Sequence, residues 1–162
     1  LKPSGDKIAS LTLLAVKMVH RFGIKPKVAG LSHSNFGSSQ NKNAQKMRDA
    51  GDKIRALDGS LEIGSEMHSH AALSIDLRDI LVSYSKSSGR PNLLIMSSLD
   101  TANITFNALR MLADGVAVSP MLLGMAQPTH ILQETATVQG LNNMTALTVV
   151  EAQSRADADA RD

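Results

Sequence analysis

Residues 31–40 read LSHSNFGSSQ. Ser32, Ser34, Ser38 and Ser39 offer hydroxyl donors in this stretch, Asn35 offers an amide, and Gly37 lets backbone come close to a ligand. The stretch follows an apolar run and precedes a helical pattern. Free N–H groups at a helix start, with short polar side chains beside them, suit an anion, a phosphate above all. The pattern is neither G-x-G-x-x-G nor a P-loop, because no Gly-Lys-Ser/Thr occurs in it. A Ser/Gly loop that merely turns the chain is the alternative reading. A second candidate is SSLDTANITF, which places Asp100 and Asn103 just after another apolar run. Asp100 suits a helix cap equally well.

Other chemistries find less support. The chain has five His, and His68 and His70 in MHSH are two apart, so on a strand they would share a face. No His-x3-His, no Cys and no third ligand accompanies them, so no metal site is expected. The eight Met read as core filler. No G-x-S-x-G elbow marks a nucleophilic Ser, and the Ser–Lys pair in SYSKSSG is weak by itself.

These residues need a scaffold, and 162 residues provide one compact domain or two small lobes. Aromatics make up only 2% of the chain, with no Trp, so the core must be aliphatic. Seventeen basic residues nearly balance fifteen acidic ones, which argues against a nucleic-acid binder with a concentrated basic face. The lack of Cys excludes a disulfide scaffold and fits a reducing compartment. No apolar run has membrane-spanning length and no signal-peptide layout opens the chain, so a cytoplasmic location and no membrane partner are expected. The chain starts at Leu1 rather than Met, and a piece of a longer protein is expected.

Periodicity gives the elements. Ser4 and Asp6 offer cap chemistry before a helix whose apolar residues Ile8, Leu11, Ala15, Met18 and Val19 recur at helical spacing, with Gly23 at its end. KVAGL, 27–31, reads as a buried strand. A helix over about 42–57 follows, then a strand LEIGSEM weakened by Gly64, then a helix HAALSIDLRDILVSY. NLLIM, 92–96, is the clearest strand, followed by the helix TANITFNALRMLAD, the strand GVAVS and a final helix NNMTALTVVEAQ. SRADADARD, 154–162, is a charged tail expected to be disordered. The alternation of strand and helix predicts an α/β fold: a mostly parallel sheet with helices on both faces. Ligands of such sheets sit beyond the carboxyl ends of the strands, where both candidate loops leave.

The segments PKVAGLSHSNFGSS, KMRDA, EMHSHAAL, NLLIMSSLDTANITFNAL, VSPMLLGMAQPTHIL and NNMTALTVVEAQ, taken together, resemble the phosphate acetyl/butyryltransferase family over about residues 5–153. The likeness is greatest to the version fused at the C-terminus of bacterial multidomain NADP-type malic enzymes. It implies the distal lobe of a two-lobed, isocitrate/isopropylmalate dehydrogenase-like domain over residues 1–123, with 124–153 returning to a proximal lobe. It also implies a homodimer, and a larger homo-oligomer in the full-length protein.

Active members of this family carry KPVNDLSRG followed shortly by an Asp. The Arg holds the acyl-phosphate, the Ser acts at the reacting carbonyl, and the Asp is the base for the coenzyme A thiol. Aligned without gaps, this chain reads QPTHILQET, so Gln133, Glu134 and Gly140 stand at the three positions. All three roles are vacant, and no catalytic residue is expected. What the resemblance implies is therefore an allosteric acetyl-coenzyme A (acetyl-CoA) sensor, with Ser32, Ser34, Asn35, Gly37, Ser38, Ser39, Asp100 and Asn103 as ligand-binding residues. The chain itself would hold no cofactor. Oxidative decarboxylation of malate to pyruvate, with NADP and a divalent metal, would belong to domains outside it. An active transferase and a structural dimerisation module are the alternatives.

Overall fold

The computed structural model describes residues 2–74, 90–113, 118, 120–132, 134 and 136–159. Among them the elements run helix α1 (Gly5–Arg21), strand β1 (Lys27–Leu31), helix α2 (Lys42–Leu57), strand β2 (Glu62–Met67), short helix α3 (Ser69–Leu73), strand β3 (Leu93–Ile95), helix α4 (Leu99–Leu112) and helix α5 (Val138–Asp159). The chain divides into two compact units, Leu1–Ala108 and Leu109–Asp162. The expected helix over 70–84 is seen as far as Leu73; from 75 it lies outside the described residues, as does nearly all of the expected strand 115–119.

The first unit is built on a three-stranded parallel sheet in the order β2-β1-β3. β1 sits between its neighbours and four of its five residues are buried. Its alternation splits the core into two layers. Ile8 of α1 and Met47 and Ala50 of α2 pack with Ile95 on one face. Ala29, Leu31 and Met67 pack with Ala72 of α3, Leu94 and Met96 on the other. Helices thus cover both faces, as the alternation of elements requires.

Local chemistry sets the helix ends. The Ser4 hydroxyl accepts the Lys7 N–H at 3.3 Å, with Asp6 in the first turn, as read from the sequence. At the far end Gly23 N donates to His20 O at 2.9 Å and Ile24 N to Val19 O at 3.4 Å, the paired closure of a Schellman turn. The α4 cap differs from the sequence reading. Ser98, not Asp100, accepts the Thr101 N–H, at 3.2 Å, and Asp100 lies exposed in the first turn. A hydroxyl one residue before the helix reaches the third N–H of the turn, which the Asp100 side chain, already inside the turn, does not.

The buried face of α1 is Ile8, Ala9, Thr12 and Val16, while Leu11 is exposed. The stripe read from the sequence is therefore rotated toward smaller residues. The cause is close helix approach: a Cβ on Gly5 would lie 3.3 Å from Lys46 O of α2. Thr12 is fully buried, with its hydroxyl satisfied by Ile8 O at 2.8 Å.

α2 lies equally close to β2. A Cβ on Gly51 would fall 2.4 Å from the Ser65 Cβ, which no rotamer change relieves. Gly51→Ala is expected to destabilise the fold by about 1–3 kcal/mol through overpacking. Ser65→Gly in the same background should restore most of that loss. Urea unfolding of the single and double variants checks both; an unchanged midpoint for Gly51→Ala would contradict this packing.

Candidate functional site

Parallel pairing brings the carboxyl ends of β1, β2 and β3 to one edge of the sheet. β2 and β3 lie on opposite sides of β1, so the order reverses beside β1. That is the place where open α/β sheets form a ligand crevice. The 32–41 loop leaves β1 there, and Ser97 and Ser98 lead from β3 into α4.

The loop is organised by a residue that the sequence reading did not single out. The Glu66 side chain is completely buried. Its carboxylate accepts Ser34 Oγ at 2.5 Å and the Gly37 N–H, and it pairs with Arg48 Nη1 at 2.9 Å. Phe36 N donates to the Glu66 carbonyl at 2.8 Å, and Arg48 Nη2 donates to Ser39 O at 2.9 Å. Burial pushes the Glu66 carboxyl up, but the bonds from Ser34, Arg48 and Gly37 together with the Arg48 charge outweigh it, and the group sits below its ordinary value.

A bulge aims this carboxylate. The register between β1 and β2 shifts between Ala29 and Leu31, so Ser65 and Glu66 together oppose Gly30. Glu66 takes φ +56, Phe36 takes φ +44 and Gly37 takes φ +87. Left-handed backbone at the two non-glycine residues costs on the order of 1–3 kcal/mol each. The ion pair and its hydrogen bonds hold them there.

The hydroxyl directions follow from this anion. A carboxylate only accepts, so Ser34 spends its proton on Glu66, and Ser32 Oγ, 3.3 Å from Ser34 Oγ, must donate to it. Of the donors read from the sequence as facing a phosphate, Ser34 therefore faces an internal carboxylate, joined by the Gly37 N–H, and Ser32 faces Ser34. Asn35 also turns inward, its Oδ1 accepting the His68 N–H at 2.8 Å. Ser38 Oγ accepts Asn35 N, and Ser39 Oγ accepts Asn41 N, both at 3.2 Å. His33, Phe36, Gly37 and Ser38 form the exposed outer surface of the loop.

Asp100 and Asn103 stand exposed at the start of α4, on the same edge of the sheet. Lys46 joins the two segments, donating from α2 to Ser97 O at 2.7 Å. Burial, helped by the charge of Lys2, pushes its ammonium below the ordinary value. No carboxylate pairs with Lys46 among the described residues. His68 and His70 do not share a strand face. His68 caps α3 and His70 lies within it, their ring centroids 5.1 Å apart, and a His68 ring nitrogen lies 2.8 Å from His33 O. KMRDA contains both Lys46 and Arg48; their spacing of two gave no helical-face signal.

A family model described as phosphate acetyl/butaryl transferase matches residues 1–149. The chain belongs to that family. It is 43% identical over 155 residues to the NADP-dependent malic enzyme of Escherichia coli (strain K12), covering 95% of this chain and 20% of that protein. It is 44% identical over 149 residues to the NAD-dependent malic enzyme of Rhizobium meliloti (strain 1021), covering 92% of this chain and 19% of that one. The chain thus spans about a fifth of the length of these malic enzymes. Among solved structures, a phosphotransacetylase from Streptococcus pyogenes matches with a TM-score of 0.89, over 95% of this chain and 47% of that one, at 23% identity. That likeness is one of fold.

The three positions that the resemblance aligns with transferase residues fall in the second unit. Gln133 lies outside the described residues, and Glu134 is exposed in a turn. Gly140 sits in the first turn of α5, its N–H bound by the Thr137 hydroxyl at 3.0 Å. This cap starts the helix at Val138, four residues before the sequence reading, and the helix continues to Asp159 through residues expected to be a disordered tail. Arg155 explains the extension: it binds Met125 O at 2.9 Å, Ala126 O at 2.7 Å and Glu151 Oε1 at 2.7 Å. His130 Nδ1 accepts the Leu122 N–H at 3.2 Å, and its Nε2 lies 3.3 Å from Glu151 Oε2.

Glu66→Gln is expected to destabilise the protein by about 2–4 kcal/mol at neutral pH, since one buried donor loses its acceptor and Arg48 loses its counter-charge. A depressed carboxyl contributes stability above its unfolded value, about 4.3 for Glu, and loses it as pH falls through the lower folded value. The gap between parent and variant should therefore close on acidification below that range. Thermal unfolding from pH 7 downward measures it; a gap independent of pH would contradict the ionised assignment.

Proposed function

We propose that this chain is the regulatory, acetyl-CoA-sensing part of a larger malic enzyme and that it does not transfer acetyl groups. The observation that carries the reading is Glu134. In the gapless alignment it places a carboxylate where active members hold the acyl-phosphate with an Arg, turning a bidentate clamp into like-charge repulsion. Gly140 adds to this: it has no side chain to take the thiol proton, and its N–H serves the Thr137 cap.

In this reading the ligand lies in the crevice between the 32–41 loop and the start of α4. Lys46, without a carboxylate partner among the described residues, supplies positive charge to its phosphates. The exposed outer side of the loop, Gly37 and Ser38 included, forms a wall, with Ser32, Ser34, Asn35 and Ser39 fixing its shape from within. Asp100 and Asn103 lie opposite. Malate decarboxylation, the nicotinamide cofactor and the divalent metal belong to other parts of the longer protein. Among the described residues, no three His, Asp or Glu come together in a group that could hold a metal ion. An effector acts by binding two states of the whole enzyme unequally, so this chain supplies the binding half of the coupling. The cytoplasm is the proposed location. No helix among the described residues is long and apolar enough to cross a membrane.

A dimerisation role has its own support. α4 has no buried residue, and Ile104, Met111 and Leu112 are 71%, 84% and 84% exposed. An apolar helix face of this kind suits a second copy. Light scattering at low micromolar concentration is expected to give the dimer mass, and Ile104→Glu to halve it. A monomer mass for the parent would refute this.

Acetyl-CoA at about a hundred times its dissociation constant is expected to stabilise the intact protein by roughly 2.7 kcal/mol. Gly37→Val should remove most of that gain: at φ +87 its branched side chain strains the backbone, and it projects into the open space outside the loop. Melting with and without ligand separates blockage from unfolding. No ligand-induced shift in the parent would refute the sensor, and thioester formation from acetyl phosphate at about 1 s⁻¹ or faster would restore the transferase.

A further inference from the structure

Phe36 is one of only four aromatic residues of the Phe, Tyr and Trp types in the chain. It belongs to neither core cluster and is 43% exposed. Its φ of +44 is a conformation that a bulky side chain rarely adopts and that Gly or Asn would take more cheaply. Its backbone is pinned on both sides, by Phe36 N to Glu66 O and by Gly37 N to the Glu66 carboxylate. Asn35 and Ser38 close the turn around it through Ser38 N to Asn35 O at 2.9 Å. The ring has no place in either core cluster, and folding bears the strain of its backbone. Such an outlier, held by a buried ion pair at the edge where the crevice opens, points to a contact with something outside the chain.

We propose that Phe36 is a stacking platform for the planar nitrogen base of a nucleotide-bearing ligand, presented in that position by Glu66. The inference rests on the reading that the crevice takes acetyl-CoA, whose nucleotide end carries such a base. Stacking on an aromatic face needs no hydrogen-bond code, only an exposed ring of fixed orientation. Lys46, on the helix that follows the loop, supplies the charge that the adjoining phosphates require. The internal carboxylate takes the Ser34 hydroxyl and the Gly37 N–H away from any external phosphate, and the ring stands exposed on the outer side of the loop.

The test uses the intact protein with Phe36→Gly, Phe36→Leu and Phe36→Tyr. Each is titrated calorimetrically with acetyl-CoA, with adenosine 3′,5′-bisphosphate and with acetyl-phosphopantetheine, which lacks the base. Phe36→Gly is expected to melt higher than the parent without ligand, because it relieves the strain, yet to bind acetyl-CoA and the bisphosphate about ten-fold more weakly. Phe36→Leu keeps the strain and the apolar bulk, and should lose the same affinity. Phe36→Tyr keeps the ring and should retain it. Affinity for acetyl-phosphopantetheine should be the same in all four proteins. The proposal is overturned by parent-like binding of the bisphosphate to Phe36→Gly and Phe36→Leu, or by no bisphosphate binding to the parent at millimolar concentration. It is also overturned by a change of oligomeric mass without a change of nucleotide affinity, which would make Phe36 a contact between copies. A parent that binds the bisphosphate but not acetyl-CoA refutes the sensor reading and leaves the platform standing.

Discussion

A carboxylate shut away from water must find its donors and counter-charge within the protein, or it becomes protonated. Glu66 finds three: the Ser34 hydroxyl, the Gly37 N–H and the Arg48 guanidinium. They come from two other pieces of the local structure. Ser34 and Gly37 are the loop, Arg48 is the second turn of α2, and Glu66 itself is the bulged end of β2. One charge therefore ties the loop's curvature, the seating of the helix after it and the irregular strand register to one another. Remove it, and the left-handed residues at 36 and 66 have no reason to stay where they are.

The same arrangement changes the meaning of a Ser/Gly-rich loop. Hydroxyls and N–H groups following a parallel strand look like an anion cradle, and here they are one, with the anion built into the chain. An external phosphate placed among Ser34, Gly37 and Arg48 would have to displace or protonate Glu66. The outer surface of the loop stays exposed, and Lys46, which burial holds below its ordinary value, donates to Ser97 O and has no carboxylate partner among the described residues. In the second unit, Glu151 plays a related part. It gathers His130 and Arg155, and Arg155 in turn holds the carbonyls of Met125 and Ala126. The Met125–Ala126 segment is thus held by contacts within the second unit.

Much of the fold was legible because it is written locally. KVAGL became β1 at the expected boundaries, and α2 began and ended at the expected residues, since a short strand between breakers and a helical repeat are short-range signals. The parallel sheet followed from alternation alone. What was not legible depends on distance. No pattern in LEIGSEM shows that the second of its two Glu, Glu66, will be buried, because the partners lie 18, 29 and 32 residues away in sequence. The core stripe of α1 was misread because its width is set by how closely α2 approaches. The length of α5 was missed because Gly140 and the Ala/Asp-rich end look like breakers, and only the Thr137 cap and the long-range bonds of Arg155 offset them. The sequence pointed to the loop and to the edge of the sheet where it lies. The direction in which each donor points had to come from the structure.

The central claim is that Glu66 is an ionised carboxylate held inside the loop. The most direct measurement is a pH titration of its side-chain carboxyl carbon by nuclear magnetic resonance in the folded protein, assigned with Glu66→Gln. The account predicts a titration midpoint below the ordinary glutamate value, accompanied by a shift of the Gly37 amide resonance with the same midpoint. A midpoint at or above the ordinary value, or a Gly37 amide indifferent to it, would contradict the account.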